Sequence, residues 1–300
     1  MPLIDNQLKL ASRMKKQRTL IFFGAHPDDE TFGLGTTLAL YALRGVRVFF
    51  VCSTNGEEGT VDPEYMKGYS DIVELRRDEL KAAAEVLGLT DVIWLGYRDS
   101  GMNGSDSNKH PDALVMAPFD EVVGKMVGII RETRPDVVIT HDAGGGYGHP
   151  DHIATHNAAV KAFYAAADPE QYPEAGPAFQ SQKLYFRVWP RGFMKLAVKL
   201  MPLFGQDPHH FGRNKDIDLT KSIVEYPVHA IIRPTKEARE IRTRAAAYHA
   251  SQGGSQPRWR SSILRILEAL RREQNAFMCE YPPPTRHRGK DLFEGIAEEN

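Results

Sequence analysis

Short, nearly all-apolar runs alternate with longer amphipathic stretches through the first half of this chain. Thr19–Ala25 (TLIFFGA) and Arg47–Thr54 (RVFFVCST) are each the length of a strand. Their lack of polar alternation predicts strands covered on both faces. Between them, Glu30–Leu43 sets Phe32, Leu34, Leu38, Tyr41 and Ala42 at helical spacings, which completes a strand-helix-strand unit. The alternation continues with a helix over Ile72–Leu87 that stops at Gly88, and a strand over Asp91–Leu95. A helix over Phe119–Glu132, a strand over Asp136–His141 and a helix over Ala154–Ala166 follow. This order predicts an α/β fold, a Rossmann-like sandwich with a mainly parallel sheet and right-handed crossovers. Ligands of such folds gather at the carboxyl ends of the strands, so chemistry is expected just after strands one and four.

The second half is less regular. Strands are expected at Lys183–Trp189 and Val224–Ile232, and helices at Pro234–Tyr248 and Ser261–Gln274. After Tyr281 come three consecutive prolines and then Arg286–Lys290, which read as a loose or wrapping tail. With no internal repeat and no low-complexity linker, the 300 residues read as one domain. Within it, 19–168 form the core that carries the chemistry, and 183–275 form a C-terminal loop, strand and helix extension that shapes the pocket.

Composition narrows the function classes. The chain is 42% hydrophobic and 26% charged, ordinary for a soluble globular enzyme. Its 38 basic and 39 acidic residues leave a net charge of -1, so no global field draws it to nucleic acid or an anionic membrane. Cys52 and Cys279 form no CxxC pair and read as reduced, structural residues. Charges at Asp5, Lys9, Arg13, Lys15, Lys16 and Arg18 interrupt the apolar steps of the N-terminus, unlike a signal peptide, and a cytoplasmic location is expected. No GxGxxG follows strand one, so the dinucleotide fingerprint is missing.

Two motifs carry chemistry. The first, Gly24-Ala25-His26-Pro27-Asp28-Asp29-Glu30, ends strand one and packs an imidazole and three carboxylates into five residues. His26 and Asp29, three apart across a turn, can reach one ion, while Asp28 points elsewhere and stays free for proton transfer. The second, Gly144-Gly145-Gly146-Tyr147-Gly148-His149-Pro150-Asp151-His152, follows strand four and brings two more histidines to the same sheet edge. Two histidines and one carboxylate around an open fourth position form a known catalytic zinc arrangement. The metal is therefore assigned to His26, Asp29 and His152, with Asp28 as general base on the metal-bound water. Tyr147 is expected to stabilise the oxyanion together with the metal. His149 is expected to act as an electrostatic or acid partner oriented by Asp151. Zn2+ is the expected ion, and the donor set also accepts Fe2+, Co2+ or Mn2+.

These residues resemble the PIG-L/LmbE-type N-acetylglucosaminyl deacetylases, zinc enzymes with an AHPDDE segment early and an HPDH segment mid-chain. Both stand unaltered here, at Ala25–Glu30 and His149–His152. The resemblance implies the same metal ligands, His26, Asp29 and His152, and the same base, Asp28. Arg76-Arg77-Asp78-Glu79-Leu80 and Tyr97-Arg98-Asp99-Ser100-Gly101-Met102 are similar to the bacterial branch. That branch includes GlcNAc-inositol deacetylase and mycothiol-conjugate amidase. The likeness implies that Arg76 and Asp99 hydrogen-bond sugar hydroxyls and that Tyr147 faces the scissile carbonyl. His249-Ala250-Ser251-Gln252 is similar to a late family segment near the pocket, which makes His249 a candidate substrate contact.

Two segments stay outside these motifs. Phe193–Phe204 (FMKLAVKLMPLF) reads as a pocket wall or a contact between subunits of a homo-oligomer, ahead of a membrane-surface helix, and is too short to span a bilayer. His209-His210 read as solvated loop histidines. The expected partner is a small amino-sugar conjugate. Three functions are weighed: removal of an N-acetyl group from a GlcNAc conjugate, cleavage of a larger N-acyl glucosamine amide, and non-catalytic sugar binding on the same fold. An intact base at Asp28 argues against the last.

Overall fold

The computed structural model describes residues 17–189, 191–211, 215, 217–220, 224, 226–254, 274–284 and 287–296. Strands β1 (Thr19–Gly24), β2 (Arg47–Thr54), β3 (Asp91–Tyr97), β4 (Val137–Thr140) and β5 (Lys183–Val188) run parallel. Helices α1 (Gly35–Leu43), α2 (Ile72–Leu87), α3 (Phe119–Thr133) and α4 (Pro150–Ala165) make the crossovers. Beyond them lie α5 (Arg191–Leu200), β6 (Ala230–Ile232), α6 (Lys236–Tyr248) and β7 (Asn275–Tyr281). The seven strands form one sheet in the order β3-β2-β1-β4-β5-β7-β6, with β7 antiparallel to both neighbours. The α/β sandwich with a mainly parallel sheet is the one expected.

β1 shows why its sequence has no polar alternation. Leu20 and Phe22 pack on one face with Leu38, Leu80 and Ile241 of α1, α2 and α6. Ile21 and Phe23 pack on the other with Val123, Val127 and Ala162 of α3 and α4. Both faces are dry along Leu20–Phe23, so these four positions are all apolar. β1 is flanked by β2 on one side and β4 on the other, so the chain leaves it in opposite directions across the sheet. The loops after β1 and β4 therefore diverge and open a crevice, which receives both motifs.

Several boundaries differ from expectation. The helix over 30–43 is split into a wide turn, Asp29–Gly33, and α1. Gly35 opens α1 where a side chain would run into Arg242 of α6, at 2.8 Å from its Cγ. α4 begins at Pro150, because Pro fits a first helical position and the His149 ring accepts from the Asp151 N–H at 3.2 Å. The HPDH motif is thus the first turn of a helix. β7 was not expected, since its burial does not alternate cleanly. The strand expected over 224–232 is reduced to Ala230–Ile232. The helix expected over 261–274 lies outside the described residues, apart from Gln274.

Phe193–Phe204 falls on α5 and a single turn, Met201–Phe204. Met201 is buried, whereas Leu196, Leu203 and Phe204 are exposed. Among the described residues no helix is long and apolar enough to cross a membrane.

Arg131, in the last turn of α3, holds the other end of α4. Its guanidinium is buried and donates to six backbone carbonyls, those of Ala165, Ala166, Asp168, Gln171, Tyr172 and Gly176. Two of these, Ala165 and Ala166, are carbonyls that the C-terminus of α4 leaves without helical partners, the other four lie in the loop that follows, and the charge suits that end of the helix dipole. Arg131→Met is expected to destabilise the protein by about 3–5 kcal/mol, because several buried acceptors lose a charged donor at once. A lowered urea midpoint at unchanged slope checks this.

Candidate active site

Asp29 is the residue around which the site is built. Its Oδ2 accepts from the backbone N–H groups of Ala25 and His26, both at 2.9 Å, which fixes the carboxylate across the turn after β1. His26 Nδ1 lies 3.1 Å from His152 Nε2. His152 Nε2 is 3.6 Å from Asp29 Oδ1, and His26 Nδ1 is 3.9 Å from Asp29 Oδ2. A tetrahedral zinc with arms of about 2.0–2.1 Å has ligand-to-ligand edges of roughly 3.3 Å. The three side chains therefore already stand at the spacing that one such ion imposes. His26, Asp29 and His152 also form one of two groups of side chains, among the described residues, whose donor atoms all lie within 4.8 Å of one another.

The other group, His26, Asp99, His149 and Asp151, shares His26 but uses its second ring nitrogen. His26 Nε2 lies 3.4 Å from Asp151 Oδ2 and 3.6 Å from Asp99 Oδ1. Both oxygens are already engaged, Asp151 Oδ2 by the Ser100 N–H and Asp99 Oδ1 by the Gly101 N–H, each at 2.8 Å. This arrangement suits carboxylates that orient a metal-binding imidazole from behind. It also corrects the role given to Asp151. Its carboxylate addresses His26, and only its backbone N–H touches His149.

The electrostatics follow from this crowding. Burial pulls the His26 pKa down, but Asp99, Asp151 and Asp29 more than offset it and leave it raised. Burial would push Asp29 and Asp99 up, yet the surrounding histidines hold both well below the usual carboxylate range. His149, through burial and then the nearby His26, is lowered to about 3 and is neutral. Burial lowers His152 as well, with His141 as the next cause.

Asp28 stands apart from the donors. Its side chain is 21% exposed, and Arg76 Nη2 donates to its Oδ2 at 2.9 Å. Burial raises its pKa to about 6, against the pull of Arg76. Arg76 is itself buried and also donates to the carbonyls of Gly56 and Pro27. The pairing with Asp28 is one that the sequence reading, which aimed Arg76 at sugar hydroxyls, did not include. A base works only when ionised, so its activity is present above its pKa and lost below. Removing the guanidinium raises that pKa further. The acid limb of kcat/KM in Arg76→Met is therefore expected to move to higher pH than in wild type. Paired pH–rate profiles check this, and the displacement between them is the quantity to read.

The PIG-L family, described as GlcNAc-PI de-N-acetylase, matches residues 21–163. A 1D-myo-inositol 2-acetamido-2-deoxy-alpha-D-glucopyranoside deacetylase of Geodermatophilus obscurus is 37% identical over 254 residues, covering 80% of this chain and 84% of its own length. The enzyme of that name from Streptomyces avermitilis is 35% identical over 299 residues, covering 93% of this chain and 98% of its own. The chain belongs to the PIG-L family. It is accordingly a hydrolase of the N-deacetylase kind. The solved N,N'-diacetylchitobiose deacetylase from Pyrococcus horikoshii shares the fold, with a TM-score of 0.59 at 20% identity over 93% of this chain and 92% of that one.

The PIG-L match takes in every residue of the two motifs and stops before His249. That histidine corrects another expectation. Its side chain is fully enclosed, and its Nε2 lies 2.7 Å from Glu30 Oε1, so it has no surface to offer a substrate. Next to it, Ser251 donates to Glu79 through its N–H at 2.8 Å and its hydroxyl at 2.7 Å. The segment after α6 is thus clamped onto the turn that carries Asp28 and onto α2.

Tyr147 is half-buried on the Gly144–Gly148 loop, its ring 5.2 Å from that of His152 and 6.0 Å from that of His149. Burial raises its hydroxyl pKa, so the proton stays on. His209 and His210 are exposed and pair with Asp218 and Asp207, and neither joins a metal-type group among the described residues. A cavity of about 460 Å3 shares Gly148 and Pro150 with the motif loop and is otherwise lined by Asn103, Leu114, Phe119, Ile153 and their neighbours.

Two buried groups were missed from sequence. His141 follows β4 directly, with its Nε2 3.4 Å from Asp29 Oδ2. A polar residue ending an apolar run at the switch of strand order was the available signal. Glu79 gave no such signal, because it looks like any helix-surface charge until Ser251 meets it.

Proposed function

We propose that this PIG-L protein hydrolyses the N-acetyl group of an N-acetylglucosamine-type conjugate to acetate and a free amine. One divalent ion, zinc, is held by His26, Asp29 and His152. The carrying observation is the close approach of two imidazole nitrogens, 3.1 Å apart, to the Asp29 carboxylate, His152 at 3.6 Å from Oδ1 and His26 at 3.9 Å from Oδ2, beside a carboxyl group whose pKa is raised to about 6. When bound, the ion supplies Lewis acidity and makes water more acidic.

The protein's own groups supply the remaining chemistry. Asp28 takes the proton of the attacking water, and its pKa near 6 lets it return that proton to the amine as the C–N bond breaks. Arg76 holds the Asp28 carboxyl in place. His149 is neutral and uses Nδ1 to accept from the Asp151 N–H, which leaves its proton on Nε2 as a donor. With the Tyr147 hydroxyl, it can stabilise the oxyanion of the tetrahedral intermediate. Asp99 commits Oδ1 to His26 and Gly101, so Oδ2 is the oxygen left for a sugar hydroxyl. A small-molecule partner and a cytoplasmic setting belong to the same reading, supported by a net charge of -1 and two free, buried cysteines.

The relatives' names make a GlcNAc-inositol conjugate the first substrate to test. The largely apolar cavity beside Gly148 and Pro150 favours a second reading, cleavage of a bulkier N-acyl group. Amine release from an N-acetylglucosaminyl inositol and from its bulky N-acyl counterpart separates the two. Faster turnover of the acetyl compound supports the first reading, and turnover of the bulky compound alone rejects it.

A further inference from the structure

His141 is a third histidine beside the proposed metal donors, and neither motif contains it. Its side chain is buried, its Nε2 is 3.4 Å from Asp29 Oδ2, and that nitrogen has no hydrogen-bond partner among the described residues. Its ring lies flat on the ring of His152, with centroids 3.9 Å apart and planes inclined by 18°. On its other side, the ring meets Phe22 edge-on at 5.7 Å. The backbone is held as well, since His156 Nδ1 donates to the His141 carbonyl at 2.8 Å.

This geometry excludes His141 as a fourth ligand. An imidazole binds a metal in its own ring plane. Two rings stacked 3.9 Å apart at 18° have planes that do not meet within reach of one ion. The donor group within 4.8 Å is accordingly His26, Asp29 and His152.

Resting on the metal site proposed above, we infer that His141 is a positioning residue for that site. Its Nε2, 3.4 Å from Asp29 Oδ2 without a formed hydrogen bond to it, is placed to steady that oxygen once an ion draws the carboxylate into position, and its face braces the His152 ring. Oδ2 also receives the Ala25 and His26 N–H groups. With Oδ2 taken up by these two N–H groups and approached by His141, Oδ1 is the oxygen that would be left to hold the ion. Groups that orient a metal ligand in this way change metal affinity by about 10- to 100-fold when removed.

Zinc affinity, measured by competition with a chromophoric chelator, tests the inference without reference to turnover. His141→Phe keeps the stacking face and removes the donor. His141→Gln keeps an N–H near the position of Nε2. Metal-free melting temperatures show that each variant folds, and His152→Ala serves as the reference for a lost ligand. Zinc binding about 10- to 100-fold weaker in His141→Phe, with His141→Gln close to wild type, is the expected result. Wild-type affinity in His141→Phe, or equal weakening in both variants, overturns the positioning role and leaves the metal site standing. Undiminished zinc binding in His152→Ala rejects the metal site itself, and the role of His141 with it.

Discussion

Asp28→Asn is expected to lower kcat by about 10²- to 10⁴-fold, the usual contribution of a positioned proton-transfer group. The substitution changes little else. An asparagine oxygen still accepts from Arg76, whose Nη1 and Nη2 also donate to the Gly56 and Pro27 carbonyls. The proposed ligands His26, Asp29 and His152 are untouched, so zinc affinity should stay near wild type. What disappears is an acceptor for the water proton with a pKa of about 6. In wild type, protonation of Asp28 removes activity as the pH falls through that range. The residual activity of the variant should lack this limb. Steady-state kinetics across pH, with bound zinc quantified in the same samples, check both parts. A variant within threefold of wild type would assign the base elsewhere.

His249→Ala is expected to destabilise the protein by about 3–5 kcal/mol, the effect of leaving one member of a buried ion pair alone. Glu30 and His249 have no exposed side-chain surface, and 2.7 Å separates them. Burial lowers the His249 pKa, but Glu30 more than reverses this, and the histidine ends above its ordinary value. Without it, the buried Glu30 carboxylate keeps the Thr31 hydroxyl but loses its cationic partner, at the end of the motif that carries Asp28 and Asp29. A chemical denaturation series over wild type, His249→Ala, Glu30→Gln and the double variant checks this, and a coupling energy near zero would contradict the pairing.

The two motifs were legible because their chemistry is local. His26 and Asp29 share one turn, His149 and His152 share the first turn of one helix, and alternating strands and helices place both turns at one sheet edge. The side chains proposed to hold the metal were therefore expected together from spacing alone, and the structure brings them within 4.8 Å of one another. Roles that depend on distant partners could not. Arg76 meets Asp28 across 48 residues, and His249 meets Glu30 across 219. Asp151 turned to His26 instead of His149 because it sits inside the first turn of α4, with its carboxylate drawn to the Ser100 N–H. β7 escaped detection for a similar reason, since its position between β5 and β6 is set by the sheet rather than by its own pattern.

The central claim is that one ion at His26, Asp29 and His152 makes this chain an amide hydrolase of N-acetylated amino sugars. The most direct measurement is acetate release from an N-acetylglucosaminyl inositol by metal-stripped protein titrated with zinc. Release should be absent without zinc, rise in proportion to zinc up to one equivalent, and then level off. Full release by the stripped protein, or none at any zinc level despite tight binding at one site, would contradict the claim.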